Sequence, residues 1–272
     1  MSKQFNVCAI FGERRSMKSA IMYAGRLAAL LHTGELHIYL PGADGTQVAP
    51  SMTPGRAAEL QRQRVKDLVS QWQPTPVVVH DDLDLATAHP SRLPENALVV
   101  SNELALRRRH LTVLQPFEET HVLRASGSIL VPFGDGNSGI VAAAVALQLA
   151  RTTHLDVVFY HTTWADESVQ SEDPVDHLCQ SAREHYHELQ RMAIQANVGH
   201  SMAVEMVSDV VSGMLHCALN GSLSVEDPHP VNLIVAAHGV NTYSGSYLEE
   251  ALNVSSTPIL VVGNRNEEGG QS

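Results

Sequence analysis

An internal repeat with an offset of 122 residues constrains the fold of this chain more than any other feature of its sequence. The run VCAIFG at 7–12 aligns with ILVPFG at 129–134, and the register continues through the small apolar residues that follow each run. After one deletion, residues 35–39 align with residues 156–160. A repeated unit of this length is the size of one domain. The sequence therefore predicts two related domains, at 1–120 and 121–272.

Both copies alternate strand-like and helix-like segments. Residues 96–100 in the first copy and 232–236 in the second are mainly apolar runs, which is typical of strands buried on both faces. Strands that alternate with helices require a parallel sheet with right-handed crossovers. The predicted fold class is therefore α/β. In the second copy we predict strands near 128–133, 155–161, 202–207, 232–237 and 258–262, and helices near 138–152, 174–197, 210–219 and 246–254.

Two predicted helices begin with a capping residue followed by proline. These starts are Thr53-Pro54 and Asp173-Pro174, where the missing proline N–H would lack an intrahelical partner anyway. Apolar residues then recur at helical spacing from Ala57 to Trp72 and from Val175 to Ala196. Each helix is therefore predicted to place one apolar stripe on its sheet.

Charge and composition exclude several classes of function. The 18 Lys and Arg against 29 Asp and Glu give a net charge of −11, which argues against nucleic-acid binding because phosphates require a basic surface. Three cysteines without a C-x-x-C pair indicate neither a disulfide framework nor a zinc site, and we expect a cytoplasmic location. The longest apolar segment, 139–150, is too short for membrane insertion.

The strand ends of the second copy resemble the universal stress protein family. The similar stretches are LIVAAHG at 233–239, GSYLEEAL at 245–252 and TPILVV at 257–262, together with the strand and Gly-Asp-Gly-Asn-Ser turn at 129–138. The first copy is similar over 4–116 but has only 12 residues from its fourth strand at Val100 to its last at Thr112, where the second has 23. The chain thus resembles a tandem universal stress protein whose first domain is degenerate.

This resemblance implies a fold and a ligand. The family fold is Rossmann-like, of the adenine nucleotide alpha-hydrolase-like kind, with a five-stranded parallel sheet and helices on both faces in each domain. ATP-binding members carry glycines after the fourth strand that let the backbone and a helix N-terminus approach phosphate. Here five residues separate Gly239 from Gly245. The resemblance implies phosphates at Gly239, Gly245 and Ser246, the base near Asp135 and Thr162, and ATP as a possible cofactor.

Each of these signals has an alternative interpretation. Gly239, Gly245 and Ser246 could form only a turn and a helix cap. Residues 134–139 match the dinucleotide fingerprint G-x-G-x-x-G, but they could equally be a flexible turn, and no acid follows on the next strand end. His161 and His238 lie at predicted strand ends, either as ligand contacts or as loop histidines. We assign no metal ligands and no catalytic residues.

The predicted function is that of a cytoplasmic stress-response or regulatory protein that acts by binding a ligand or a partner. Degenerate adenine-nucleotide binding is placed in the second domain, and a homodimer is expected by analogy with the family. Two alternatives remain: a weak nucleotide hydrolase, or a nucleotide-independent scaffold that regulates a transporter or a sensor. Since no base or metal carboxylates accompany the site, turnover is the less favoured of these interpretations.

Overall fold

The computed structural model divides into two compact units, Met1–Leu123 and Arg124–Ser272. The structure describes residues 6–10, 17–33, 35–40, 53–70, 76–80, 93, 97–101, 112–115, 126–134, 137–163, 171, 173–207, 209–220, 230–237, 247–248, 250–252 and 254–262.

The first unit contains five parallel strands and two described helices. In chain order these are β1 (Asn6–Ile10), α1 (Met17–Leu30), β2 (Leu36–Tyr39), α2 (Pro54–Val69), β3 (Val77–His80), β4 (Ala97–Ser101) and β5 (Thr112–Gln115). The strand order is β3-β2-β1-β4-β5, and each neighbouring pair is parallel.

The second unit repeats this topology. Its elements are β6 (Ser128–Pro132), α3 (Ser138–Thr153), β7 (Asp156–Thr163), α4 (Gln180–Ala196), β8 (His200–Met206), α5 (Val210–Asn220), β9 (Val231–Ala237) and β10 (Ile259–Val262). The strand order is β10-β9-β6-β7-β8, again with parallel neighbours. Residues 247–248, 250–252 and 254 are helical. The predicted α/β class with a five-stranded parallel sheet in each half is confirmed.

The direction of each crossover decides which face of the sheet its helix covers. In the second unit the chain moves outward from β6 to β7 and β8, then returns to β9 and β10 on the other side of β6. Because such crossovers are right-handed, α3 and α4 cover one face, while α5 and the helical residues after β9 cover the opposite face. Contacts agree with this assignment: α3 packs against α4, and α5 packs against β7 and β9.

The two Pro-initiated segments behave differently from each other. Helix α2 begins at Pro54 as predicted, although Leu60 of its expected apolar stripe is 42% exposed. The segment after Asp173 corrects our prediction of one helix over 174–197. It is a single 3-10 turn, Pro174–His177, in which Asp173 Oδ1 accepts the Val175 N–H at 2.9 Å. Leu178 and Cys179 are extended, so α4 begins only at Gln180.

Candidate functional site

The sheet of the second unit has a topological switch point between β6 and β9. These strands are parallel neighbours, with Leu130 opposite Ile234, and their crossovers leave on opposite faces of the sheet. Helices that diverge in this way leave a crevice beyond the carboxyl ends of the two strands, where open α/β sheets bind their ligands. In this chain the crevice begins after Pro132, the last residue of β6, on one side and after Ala237, the last residue of β9, on the other.

Only one of the five predicted ligand residues falls in the described part of the chain. Thr162 lies near the end of β7, the strand next to β6, and is partly buried. The structure therefore brings it to the carboxyl edge of the sheet, one strand from the crevice. The other four, Asp135, Gly239, Gly245 and Ser246, lie outside the described residues, as does His238.

Two glycines of the turn after β6 have different environments. A Cβ on Gly139, in the first turn of α3, would lie 2.6 Å from the Phe133 Cβ, so close packing alone requires glycine there. A Cβ on Gly134 would meet no described atom within 4 Å. Packing against the described residues therefore does not require glycine at this position. This difference supports the interpretation of Gly139 as a packing residue, the role of the last glycine in G-x-G-x-x-G turns.

His161 contacts Phe133, the residue that follows β6, through a hydrogen bond and a ring contact. Its ring Nδ1 lies 2.8 Å from the Phe133 carbonyl oxygen, and the two rings are 4.9 Å apart. A carbonyl can only accept a hydrogen bond, so Nδ1 of His161 carries a proton and donates it to the Phe133 oxygen. The histidine alternates with Tyr160 and Thr162 along β7, so it faces the α3 and α4 side of the sheet.

A carboxyl group that sequence reasoning missed lies beside Thr162. Glu205 of β8 is the register partner of Thr162 and therefore shares its face of the sheet. The Tyr160 hydroxyl donates a hydrogen bond to Glu205 Oε2 at 3.3 Å. Burial raises the pKa of Glu205, while the Tyr160 hydrogen bond and the charge of His216 act in the opposite direction. A polar residue at a strand end was the available signal, but only the register shows its neighbour.

Helix α5 closes over this hydrogen bond. Tyr160 is 1% exposed, and a Cβ on Gly213 of α5 would lie 2.5 Å from the tyrosine hydroxyl. Burial, followed by the charge of Glu205, raises the pKa of Tyr160, which keeps the phenol protonated as a donor. Tyr160, Glu205 and Gly213 thus form a tightly packed polar contact beneath α5. When ionised, the Glu205 carboxyl group places a negative charge beside the carboxyl ends of β7 and β8.

The histidines near α4 are engaged with backbone carbonyls. His177 Nε2 lies 2.9 Å from the Ser171 carbonyl oxygen, and His185 Nδ1 lies 2.9 Å from that of Ser181. Over the described ranges, no group of three or more His, Cys, Asp or Glu side chains could hold a metal ion.

The strand order places the chain in the class of doubly wound, Rossmann-like α/β proteins. No family model and no curated protein matches its sequence. Among solved structures, it is similar to a universal stress protein from Archaeoglobus fulgidus DSM 4304, with a TM-score of 0.62 and 12% identity over 98% of this chain and 100% of that one.

Two further structures support the same fold over almost the whole chain. One is a putative universal stress protein from Pseudomonas aeruginosa UCBPP-PA14, with a TM-score of 0.52, 13% identity, and coverage of 96% of this chain and 94% of the other. The second is a protein of unknown function from Pseudomonas aeruginosa PAO1, with a TM-score of 0.50, 13% identity, and coverage of 95% and 92%. The chain therefore has the universal stress protein fold across both units. Within the described residues, no helix is both long and apolar enough to cross a bilayer.

Proposed function

We propose that this protein is a regulatory member of the universal stress protein family that acts in the cytoplasm by binding a small ligand or a partner. The second unit is the proposed binding unit, and an adenine nucleotide is the proposed ligand. The observation that carries the proposal is the switch-point crevice between β6 and β9, because the predicted residues Asp135, Gly239, Gly245 and Ser246 follow these two strands in sequence.

The described residues suggest an orientation for the nucleotide. A Cβ on Gly134 would meet no described atom within 4 Å, and Thr162 offers a hydroxyl one strand from β6. Glu205 stands beside Thr162, and a carboxylate there would repel phosphate. We therefore place the base and ribose near Thr162, and the phosphates near Gly239, Gly245 and Ser246, as the family resemblance implies.

Thermal shift and calorimetry with ATP, ADP, AMP, cyclic nucleotides and NAD test this proposal. A ligand at 100 times its Kd stabilises the native state by about 2.7 kcal/mol, which corresponds to a rise in Tm of about 5–10 °C for a unit of this size. Gly245→Glu should abolish the shift because it places a carboxylate where we propose phosphate. Gly55→Glu is the matched control, since Gly55 is an exposed glycine in the first turn of α2.

The alternatives give different results in the same experiments. No response to any nucleotide would contradict the binding proposal and favour the scaffold. Phosphate release above the buffer background that disappears in Gly245→Glu would favour the weak hydrolase. We also propose a homodimer. Light scattering tests this directly, since a dimer has twice the chain mass of 29.5 kDa.

A further inference from the structure

The first unit contains a pair of histidines that the proposed nucleotide site does not use. His37 of β2 and His80, the last residue of β3, lie on neighbouring parallel strands at the edge of the sheet. The Nδ1 atom of His37 is 3.1 Å from the Nε2 atom of His80, and both rings are partly buried. We refer to these two residues as the histidine pair.

The geometry of the histidine pair is that of a straight hydrogen bond. The ring centroids are 5.4 Å apart, and the interplanar angle is 16°. This separation is the N···N distance plus one ring radius at each end, so both facing nitrogens lie close to the line that joins the centroids. That line lies in both ring planes, and a lone pair of one ring therefore points directly at the N–H of the other. Only one proton fits between the two nitrogens.

Glu35 decides which tautomers the uncharged pair adopts. Its Oε2 atom lies 3.5 Å from the Nε2 atom of His37. A carboxylate favours a proton on the nitrogen that faces it, so His37 carries its proton on Nε2 and accepts at Nδ1. His80 is then the donor in the shared hydrogen bond. The three groups therefore form a row in which the Glu35 carboxylate contacts the His37 ring and the His37 ring contacts the His80 ring.

Besides Glu35, two titratable residues are placed beside the pair by ring stacking and strand register, Tyr39 and Cys8. The Tyr39 ring stacks on His80, with centroids 4.3 Å apart and an interplanar angle of 9°. Cys8 of β1 is the register partner of His37. Burial raises the pKa of Cys8 and of Tyr39 to about 12, so both stay neutral. Burial and the nearby His37 lower the pKa of His80 from its ordinary value.

We propose that the histidine pair is a proton-operated switch that controls the attachment of edge strand β3 to β2. While the pair shares one N–H, the side-chain bond reinforces the β2–β3 ladder. If both rings carried protons on both nitrogens, two N–H groups would face each other, so the closed pair excludes the last proton. Release of β3 lets the two imidazoles bind that proton in water. Acid therefore favours the open edge.

Linkage gives the size of this effect. If opening binds one additional proton, the opening equilibrium rises by up to about tenfold for each pH unit below the ordinary histidine pKa of about 6.5. Between pH 7 and pH 5 we expect the opening constant of β3 to rise at least about tenfold.

Hydrogen exchange of the intact protein tests the switch at a defined amide. The Leu40 N–H donates to the His80 carbonyl at 2.8 Å, so its protection reports the attachment of β3. After correction for the intrinsic pH dependence of exchange, its protection factor should fall at least about tenfold from pH 7 to pH 5. The Leu31 amide, bonded to the Leu27 carbonyl at the end of α1, serves as the reference for unfolding of the whole first unit.

Two variants separate the switch from a general loss of stability. His80→Phe keeps an aromatic ring against Tyr39 but cannot take up a proton, so Leu40 protection should lose its pH dependence. His154→Gln removes an exposed histidine after α3 and should keep the wild-type fall. Unchanged protection of Leu40 in the wild type, or the same fall in His80→Phe, would overturn the proposal. An equal fall at Leu31 in the wild type would also overturn it.

Discussion

Replacing Gly213 by alanine should destabilise the second unit, although alanine is the better helix former. Gly213 lies inside α5, where alanine alone would gain about 1 kcal/mol. Its added Cβ would lie 2.5 Å from the Tyr160 hydroxyl and 2.9 Å from Val207 Cγ2. Overpacking of this kind costs about 1–3 kcal/mol. Displacing the phenol also weakens its hydrogen bond to the Glu205 carboxyl. A hydrogen bond to a charged group contributes about 1.5–3 kcal/mol to stability.

The net expectation is a loss of about 2–4 kcal/mol in the free energy of unfolding. For a unit of roughly 150 residues, each kcal/mol lowers Tm by about 2–4 °C, so we expect a fall of at least about 4 °C by calorimetry. The control is Gly55→Ala in α2, where an added Cβ meets no described atom within 4 Å. That variant should be neutral or slightly stabilising.

A double-mutant cycle identifies the cause of the loss. Tyr160→Phe removes the oxygen that the new Cβ would strike, so Gly213→Ala should cost at least about 1 kcal/mol less in that background than in the wild type. A Gly213→Ala protein that melts at or above the wild-type temperature would refute the close packing of α5 on Tyr160. An additive cycle would show that the Tyr160 hydroxyl is not the obstacle.

Three further substitutions follow from the same geometry. Gly127→Ala should lower Tm by several degrees, because Gly127 has a φ of +144° and a Cβ would lie 2.6 Å from the Pro230 carbonyl oxygen; an unchanged Tm would contradict this. Gly139→Ala should also melt earlier, since its Cβ would overlap the Phe133 Cβ, and circular dichroism melts would show it. Glu205→Gln should raise Tm more at pH 7.5 than at pH 4.5, because burial raises the Glu205 pKa and its ionisation opposes folding; an equal change at both pH values would exclude that cause.

The repeat and the apolar runs were sufficient to predict the fold. The repeat gives the number of domains, and the apolar runs mark strands whose two faces are both buried. Strands such as β6 and β9 are buried along their full length, so their apolar residues are consecutive and easily found in the sequence. Strand β3 was not assigned from the sequence. It has only four residues, Val77–His80, all partly buried at the sheet edge, and its histidine interrupts the apolar run.

The partners within the candidate site could not be predicted because they depend on register between strands. Glu205 and Thr162 are far apart in sequence and meet only through the pairing of β7 with β8. The predicted helix after Asp173 failed for a local reason. Its apolar spacing was correct from Ala182 to Ala193, which are buried, but Cys179 is extended and separates the Pro-initiated turn from α4.

The aligned tyrosines show how the two units have diverged in their response to pH. Tyr39 and Tyr160 occupy equivalent repeat positions, and burial raises the pKa of both. Tyr39 stacks on His80, whose pKa is lowered in the native state. Below about pH 6.5 the unfolded chain therefore binds more protons than the native state, and the stability of the native state falls as the pH falls. Tyr160 donates a hydrogen bond to Glu205, whose pKa is raised in the native state. The native state therefore binds more protons than the unfolded chain, and its stability falls as the pH rises above about 4.5.

Between about pH 4.5 and 6.5, His80 and Glu205 therefore change the free energy of unfolding in opposite directions as the pH falls. Exchange of the Leu36 amide, bonded to the Pro76 carbonyl, reports the β2–β3 edge of the first unit, and exchange of the Phe133 amide, bonded to the Tyr160 carbonyl, reports the β6–β7 side of the second. As pH falls through this range, Leu36 should lose protection relative to Phe133. His80→Phe should remove the loss at Leu36, and Glu205→Gln should remove the opposing contribution at Phe133. Parallel changes at both amides would mean that one global transition, not two local titrations, governs the response.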